Sequence, residues 1–136
     1  MSLIDSKEFK EIVELAKRDD NIAALILFGS YARGNFKKTS DVDLCVIKKN
    51  KDLLPHEFDI LDYQDRNTFD ILFYDNLPDY VKFRVFKEGK VLVVNDEKLL
   101  FNIRRKFLHK FRDEYYFRER QMNKLLARIW FKDGYW

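Results

Sequence analysis

The sequence contains a single cysteine, Cys45, among its 136 residues, so an internal disulfide bond is excluded and nothing indicates an oxidising compartment. It has only two prolines and four glycines, and we find no Pro/Gly/Ser-rich linker, low-complexity segment or internal repeat. The longest apolar run, residues 22–28, is too short to span a bilayer, and the charged N-terminus is unlike a secretory signal. We therefore expect a soluble cytoplasmic protein with no membrane association.

The charge is nearly balanced overall but unevenly distributed. The net charge is +3, whereas residues 104–136 hold ten Lys/Arg against four Asp/Glu and therefore carry +6. One interpretation of this segment is a solvated charged helix. The other is a surface for an acidic partner, such as a nucleic acid or an acidic protein face.

The hydrophobic pattern predicts a single α/β or α+β domain, in which a small mixed β-sheet is flanked by helices. Asp5 is the predicted cap of the first helix, with Glu8 as the returning acid of a capping box. Pro78 and Gly89 are predicted to bound a later helix, with Gly89 as a left-handed cap. The predicted helices cover residues 6–18, 52–64, 78–89 and 96 onward, and the predicted strands cover residues 22–28, 41–47, 68–74 and 91–94.

The segment LFGSYARGNFKKTSDVDLCVI carries the chemistry. A buried strand leads into Gly29-Ser30, and a second strand then opens with Asp41 and Asp43. Side chains two residues apart on a strand share a face, so these carboxylates repel each other unless a cation lies between them. Mg²⁺ binds through one or two carboxylates together with substrate phosphates, and a pair of such ions can clamp an in-line phosphoryl displacement.

The glycine turn is predicted to form the other half of this site. Gly29 allows the backbone to approach a phosphate, and Ser30 offers a hydroxyl and an N–H group. Arg33, Lys37 and Lys38 lie in the following loop, where they are placed to neutralise a triphosphate. For Arg33, the alternative is an ordinary solvated position.

The pattern Gly29-Ser30, ten residues, then Asp41-x-Asp43 resembles the signature of the DNA-polymerase-β-type nucleotidyltransferase superfamily. The extended form GSYARG is similar to that of its small stand-alone branch, the minimal nucleotidyltransferases (MNT). The resemblance continues through residues 69–72 and 86–92, so that it covers roughly residues 20–94.

The resemblance implies a third carboxylate, for which Asp70 is the candidate and Asp75 is the rival. By resemblance, Asp70 binds the catalytic metal and helps to take the proton from the incoming hydroxyl, while Asp41 and Asp43 bridge two Mg²⁺ ions. The site set is then Asp41, Asp43 and Asp70 for catalysis and metal binding, with Gly29, Ser30 and Arg33 for the nucleotide.

Structural roles are the alternatives for several of these residues. Ser30 could simply cap a helix, and Asp41 could cap a turn, although that would leave Asp43 on a strand without a role. His56 and His109 show no metal-ligand spacing, and Cys45 is expected to be a small core residue.

Two domain segments are expected: a nucleotidyltransferase domain over residues 1–103, and a basic, aromatic-rich helical extension of it over 104–136. The terminal cluster of Trp130, Phe131, Tyr135 and Trp136 predicts either packing onto the domain or an interface. The resemblance implies a separate helical HEPN-domain partner in a toxin–antitoxin pair. A homodimer and a nucleic-acid partner stay open.

The resulting functional hypothesis is an Mg²⁺-dependent nucleotidyltransferase with ATP as substrate. It moves a nucleoside monophosphate, AMP in the leading interpretation, to a hydroxyl acceptor and releases pyrophosphate. The resemblance suggests a tyrosine of the HEPN toxin as the acceptor. The alternative is an antitoxin module that binds nucleotide or partner without catalysis.

Overall fold

The computed structural model describes residues 3–37, 40–64 and 68–114, with side chains as far as Lys110. Four strands and four α-helices occur there, in the order α1-β1-α2-β2-β3-α3-β4-α4. The helices are α1 (Lys7–Arg18), α2 (Ser30–Arg33), α3 (Asp79–Glu88) and α4 (Glu97–Glu114). The strands are β1 (Ile22–Phe28), β2 (Val42–Lys48), β3 (Phe69–Phe73) and β4 (Lys90–Val94).

The strands form one mixed sheet in the order β3-β2-β1-β4. Strand β1 pairs antiparallel with both β2 and β4, whereas β2 and β3 are parallel. The predicted fold class, a small mixed sheet with helices, is therefore confirmed. The bounds of β1 agree with the predicted ones, and those of the other strands differ by one residue at one or both ends; β2 begins at Val42 rather than at Asp41.

The two faces of the sheet have different coverings. Phe9, Ile12 and Ala16 of α1 pack into a core with every second side chain of the sheet, including Leu44 and Ile71. Strand alternation directs the intervening residues of β2 and β3 to the other face. All seven residues of β1 are buried, as expected for a central strand covered on both sides.

Two predictions about the helices are wrong. The N-cap of α1 is Ser6, not Asp5, because the Ser6 hydroxyl accepts a hydrogen bond of 3.1 Å from the Phe9 N–H. The predicted α-helix over 52–64 is instead a pair of short 3₁₀ helices, Pro55–Glu57 and Asp59–Tyr63. Phe58 between them is buried in the main core, so tertiary packing replaces the continuous helix that the pattern suggested.

Gly89 ends α3 as predicted, but not in a left-handed conformation. Its φ and ψ are −67° and 148°. A Cβ at this position would collide with the carbonyl oxygen of Val85 and lie 2.6 Å from Cγ2 of Ile26. The glycine is therefore needed for the close approach of α3 to β1 rather than for its backbone angles.

The chain divides into two compact units, Met1–Glu97 and Lys98–Trp136. The predicted boundary between residues 103 and 104 stays a prediction. In the described part of the second unit, α4 continues to Glu114 as the helical pattern indicated. The terminal aromatic cluster at residues 130–136 and Lys38 lie outside the described residues. No helix in the part of the chain that the structure describes is long and apolar enough to cross a membrane.

Candidate active site

The parallel pairing of β2 and β3 brings two of the predicted acidic residues together. Asp43 and Asp70 are direct partners in the β2–β3 register. Both lie on the sheet face opposite α1, because their neighbours Val42, Leu44 and Ile71 belong to the core on the other face. The rival Asp75 follows β3 in a 3₁₀ helix and forms an ion pair of 3.7 Å with Lys48.

Asp43 lies at the centre of this acidic group, beside Asp70 in the sheet and two residues after Asp41. Partial burial, the largest cause, and the charges of Asp70 and Asp41 together raise the pKa of Asp43 to about 6. Asp41 is exposed and directly precedes β2. Asp70 and Asp41 therefore both lie close enough to Asp43 for their charges to act on its carboxylate.

Gly29 closes the site from the side of β1. Its φ is +76°, and a Cβ here would collide with Oδ2 of Asp43 and lie 3.1 Å from its Cγ. Both the left-handed backbone and the absence of a side chain are thus required at this position. The glycine turn and the acidic strand, which are separate in the sequence, are in direct contact.

Ser30 begins α2, the single helical turn that the sequence pattern suggested. Gly29 is the N-cap of this turn and lacks a side-chain cap, so Ser30 is not the capping residue. Ser30 is half-buried at the point where β1 ends. Ser30 thus directly follows the glycine that contacts Asp43.

Glu88 is a site residue that the sequence analysis missed. Its buried carboxylate accepts hydrogen bonds from the Gly29 N–H at 3.3 Å, from Nη1 of Arg33 at 2.8 Å and from Nε of Arg84 at 3.3 Å. Arg33 is consequently more than a solvated loop side chain, since it is paired with Glu88, and its predicted phosphate contact stays a prediction. Only the spacing of four residues from Arg84 to Glu88 is a local signal, and its other two partners lie 59 and 55 residues away in the sequence.

Gln64 was missed as well. Its side-chain amide donates to Oδ1 of Asp70 at 3.2 Å, and its amide oxygen accepts from the Ile71 N–H at 2.5 Å. These two bonds hold the end of the second 3₁₀ helix against β3 and orient the Asp70 carboxylate. The acids Asp59 and Asp62 of the same helix are exposed.

The remaining candidates have structural positions. Cys45 is fully buried in β2, and burial raises the pKa of its thiol, as expected of a core cysteine. His56 and His109 are exposed. Among the described residues, no group of three or more His, Cys, Asp or Glu side chains is already arranged as a metal cluster.

The acidic group nevertheless fits Mg²⁺ by its chemistry. Asp43 and Asp70 supply two adjacent carboxylates, and burial followed by the charges of Asp70 and Asp41 raises the pKa of Asp43. Mg²⁺ commonly binds one or two carboxylates and completes its octahedron with water and substrate phosphates. Two or three carboxylates that leave the remaining coordination positions to water and phosphate are therefore a suitable ligand set for Mg²⁺.

A family model described as "Polymerase beta, Nucleotidyltransferase" matches residues 10–98, a segment that contains every one of these site residues. The chain belongs to this family. The resemblance predicted from Gly29-Ser30 and Asp41-x-Asp43 is thereby confirmed, and so is the enzyme class, nucleotidyltransferase.

Relatives from sequence and structure agree with this assignment. A Methanocaldococcus jannaschii protein named "Putative protein adenylyltransferase" is 31% identical over 109 residues, which cover 79% of this chain and 85% of that protein. A toxin–antitoxin crystal structure with AMP-PNP contains a chain with a TM-score of 0.60 and 20% identity, covering 90% of this chain and 100% of that one.

A third similar chain comes from a complex of tri-AMPylated Shewanella oneidensis HEPN toxin with MNT antitoxin. Its TM-score is 0.57 at 17% identity, and the match covers 88% of this chain and 97% of that one. At these identities the two structural likenesses establish the fold.

Proposed function

We propose that this nucleotidyltransferase transfers AMP from ATP to a hydroxyl group of a protein acceptor, with Mg²⁺ at the carboxylates. The observation that carries the proposal is the Asp43–Asp70 pair in register on adjacent strands, with Gly29 packed directly against Asp43. This arrangement places carboxylates beside the turn that would receive a phosphate chain. The names of the relatives support adenylyl transfer to protein as the reaction.

Each residue has a defined task in this reaction. Asp41, Asp43 and Asp70 would hold Mg²⁺, which neutralises the triphosphate and lowers the pKa of the acceptor hydroxyl when it is bound. Gly29 lets the chain turn without obstructing the carboxylates, and Ser30 presents its hydroxyl to the phosphates. Gln64 keeps the Asp70 carboxylate in a fixed orientation.

The bond changes follow from these positions. The acceptor oxygen forms a bond to the α-phosphorus of ATP, and the bond from the α-phosphorus to the bridging oxygen of the β-phosphate breaks. Pyrophosphate leaves, and Asp70 takes the proton of the acceptor hydroxyl. The rate gain comes from holding the reactants in line and from neutralising the charge that develops on the phosphates.

We also propose that the acceptor is a tyrosine of a helical HEPN-domain toxin, for which this chain is the antitoxin. Two similar structures support the proposal, because they are toxin–antitoxin complexes and one contains an AMPylated HEPN toxin. Protein partners of this kind are expected to be encoded next to this chain. The neighbouring reading frame is therefore the first acceptor to test.

The test uses ATP labelled at either the α- or the γ-phosphate, together with Mg²⁺ and the neighbouring gene product. We expect label from α-labelled ATP on a tyrosine of the acceptor, none from γ-labelled ATP, and release of pyrophosphate. Asp43→Asn is the inactive reference, and Asp20→Asn, at an exposed acid, is the matched control. Transfer of the γ-label, or no transfer from either ATP, would contradict the proposal.

A further inference from the structure

Glu88 is a buried acid in an unfavourable place. It is the last residue of α3, where the helix dipole disfavours negative charge, and its side chain is only 11% exposed. A buried carboxylate is costly unless it is paired and hydrogen-bonded. Its retention at this position therefore depends on the three donors that surround it.

Those donors converge from two elements on one carboxylate. Oε1 of Glu88 accepts from both the Gly29 N–H and Nε of Arg84, and Oε2 accepts from Nη1 of Arg33. The Gly29 bond is buried, whereas the two arginine side chains are 38% and 47% exposed. Glu88 thus anchors the glycine turn on the inside and holds two cationic side chains that reach solvent.

The anchored group borders the acidic site. Gly29 is in contact with Asp43, and Arg84 shares an oxygen of Glu88 with Gly29. Arg84 is near enough to Asp43 for its charge to oppose the rise in the pKa of that carboxyl. Both guanidinium groups therefore lie at the rim where the phosphate chain of a nucleotide would enter.

We propose that Arg84 is a nucleotide-binding residue and that Glu88 is its positioning residue: Glu88 holds Arg84 and Arg33 at the Gly29 turn, where they bind the triphosphate. The inference rests on the proposed function for the identity of the ligand. A guanidinium has five donors, and the bonds described above use one from each arginine. The others suit phosphate oxygens, which arginine binds with two parallel bonds.

The experiment measures binding of AMP-PNP with Mg²⁺ to the full chain by titration calorimetry. We expect Arg84→Ala to weaken binding roughly tenfold, the loss of one charge-assisted contact. Glu88→Gln keeps an acceptor for the Gly29 N–H but removes the charge that holds both arginines, so we expect a similar loss. The double variant should bind little more weakly than Glu88→Gln alone, because removal of the Glu88 charge already releases Arg84.

Controls separate positioning from general stability. Arg18→Ala and Glu14→Gln change an exposed arginine and an exposed glutamate of α1, whose neighbours lie in α1 itself, and should leave the affinity unchanged. If Glu88 were merely structural, Glu88→Gln would lower the melting temperature while the folded protein bound the analogue normally. Should Glu88→Gln fail to fold, Arg84→Ala still decides, because that side chain is about half exposed.

The possible failures are distinguishable. Wild-type affinity in Arg84→Ala or in folded Glu88→Gln overturns this inference alone. Binding of the analogue by the wild type without any transfer to an acceptor overturns the proposed function and leaves the arginine contacts standing. A wild-type protein that does not bind AMP-PNP with Mg²⁺ overturns both.

Discussion

At the scale of single residues, the site depends on Asp43, whose ionised form is disfavoured by burial and by neighbouring negative charges. Asp43 is partly buried next to Asp70 and within reach of Asp41, and burial is the largest reason that its pKa rises to about 6. A strand that served only the fold would not need an acid there, since Asp is depleted in strands. Ionised Asp43 therefore destabilises the fold locally, and a bound cation would offset this cost.

Asp43→Asn is expected to abolish transfer while stabilising the metal-free protein. The pKa of Asp43 is about 6 in the folded state and 3.8 as an unperturbed side chain, so its ionised form destabilises the fold. The destabilisation is complete above pH 6 and disappears as the pH falls toward 3.8. After allowance for solvent screening, the gain is about 1 kcal/mol near neutral pH, or several degrees in melting temperature.

The measurement compares melting curves of Asp43→Asn and the wild type in EDTA between pH 4 and pH 8, beside a transfer assay. The difference in melting temperature should be largest at pH 8 and should close toward pH 4. A constant difference across this range would reject the electrostatic account. A variant that keeps half of the wild-type activity with Mg²⁺ would reject Asp43 as a metal ligand.

Asp70→Asn should lose transfer but still bind ATP with Mg²⁺, because Asp41 and Asp43 remain to hold the nucleotide-bound ion. The matched control is Asp75→Asn, since Asp75 was the rival in the sequence and is paired with Lys48 outside the carboxylate group. We expect Asp75→Asn to keep its activity. The reverse result, with Asp75→Asn inactive and Asp70→Asn active, would transfer the role to Asp75.

At the scale of elements, the site is held by the ends of secondary structures rather than by their middles. β1 ends at Phe28 just before Gly29, β2 begins at Val42 beside Asp41, and α3 ends at Glu88. The second 3₁₀ helix ends before Gln64, which links it to β3. Each of these ends supplies one polar group, and the sheet holds them in a common region.

Gln64→Ala tests this link between elements. The variant loses the hydrogen bonds to Asp70 and to the Ile71 N–H, so the free energy of unfolding should fall by about 1–3 kcal/mol. Transfer should slow as well, because the Asp70 carboxylate is no longer oriented. Urea unfolding and the transfer rate are the measurements, and Gln64→Glu, which retains an acceptor for Ile71, is the comparison. Unchanged stability and rate in Gln64→Ala would reject the link.

At the scale of the whole molecule, nucleotide and metal should bind as one ligand. ATP and Mg²⁺ together are expected to raise the melting temperature more than either alone, because ligands that bind only the folded state stabilise it. At one hundred times the dissociation constant, the stabilisation is about 2.7 kcal/mol. Thermal melts with ATP, Mg²⁺, both, and ATP in EDTA provide the comparison. An equal shift with ATP in EDTA would contradict a triphosphate site bridged by metal.

The basic C-terminal segment is predicted to be an interface, either with a second copy or with a helical partner. Its terminal aromatic residues favour an interface, because aromatic residues are enriched at interface cores. Its charge of +6 favours an acidic partner. A variant that ends at Arg112 should stay folded and still bind ATP while it loses its partner or its dimer. Light scattering and pull-down with the neighbouring gene product measure this loss. Aggregation, or melting at a low temperature, would show instead that the segment belongs to the core.

The sequence by itself was sufficient for the fold class, for the strand that leads into Gly29, for the strands that carry Asp43 and Asp70, and for the family. These features are local, since a two-residue period, a glycine turn and a fixed spacing can be read along the chain. It was insufficient for the helix over 52–64, where short-range apolar spacing was outweighed by the burial of Phe58.

The supports of the site were decided only by the tertiary structure. Glu88 accepts hydrogen bonds from Gly29, 59 residues away in the sequence, and from Arg33, 55 residues away. No local sequence pattern predicts such long-range pairs. Gln64 reaches Asp70 because a 3₁₀ helix ends beside β3. Hydrogen bonds of this kind depend on where packed elements place their ends, so they follow from the assembled sheet and helices and not from the local sequence.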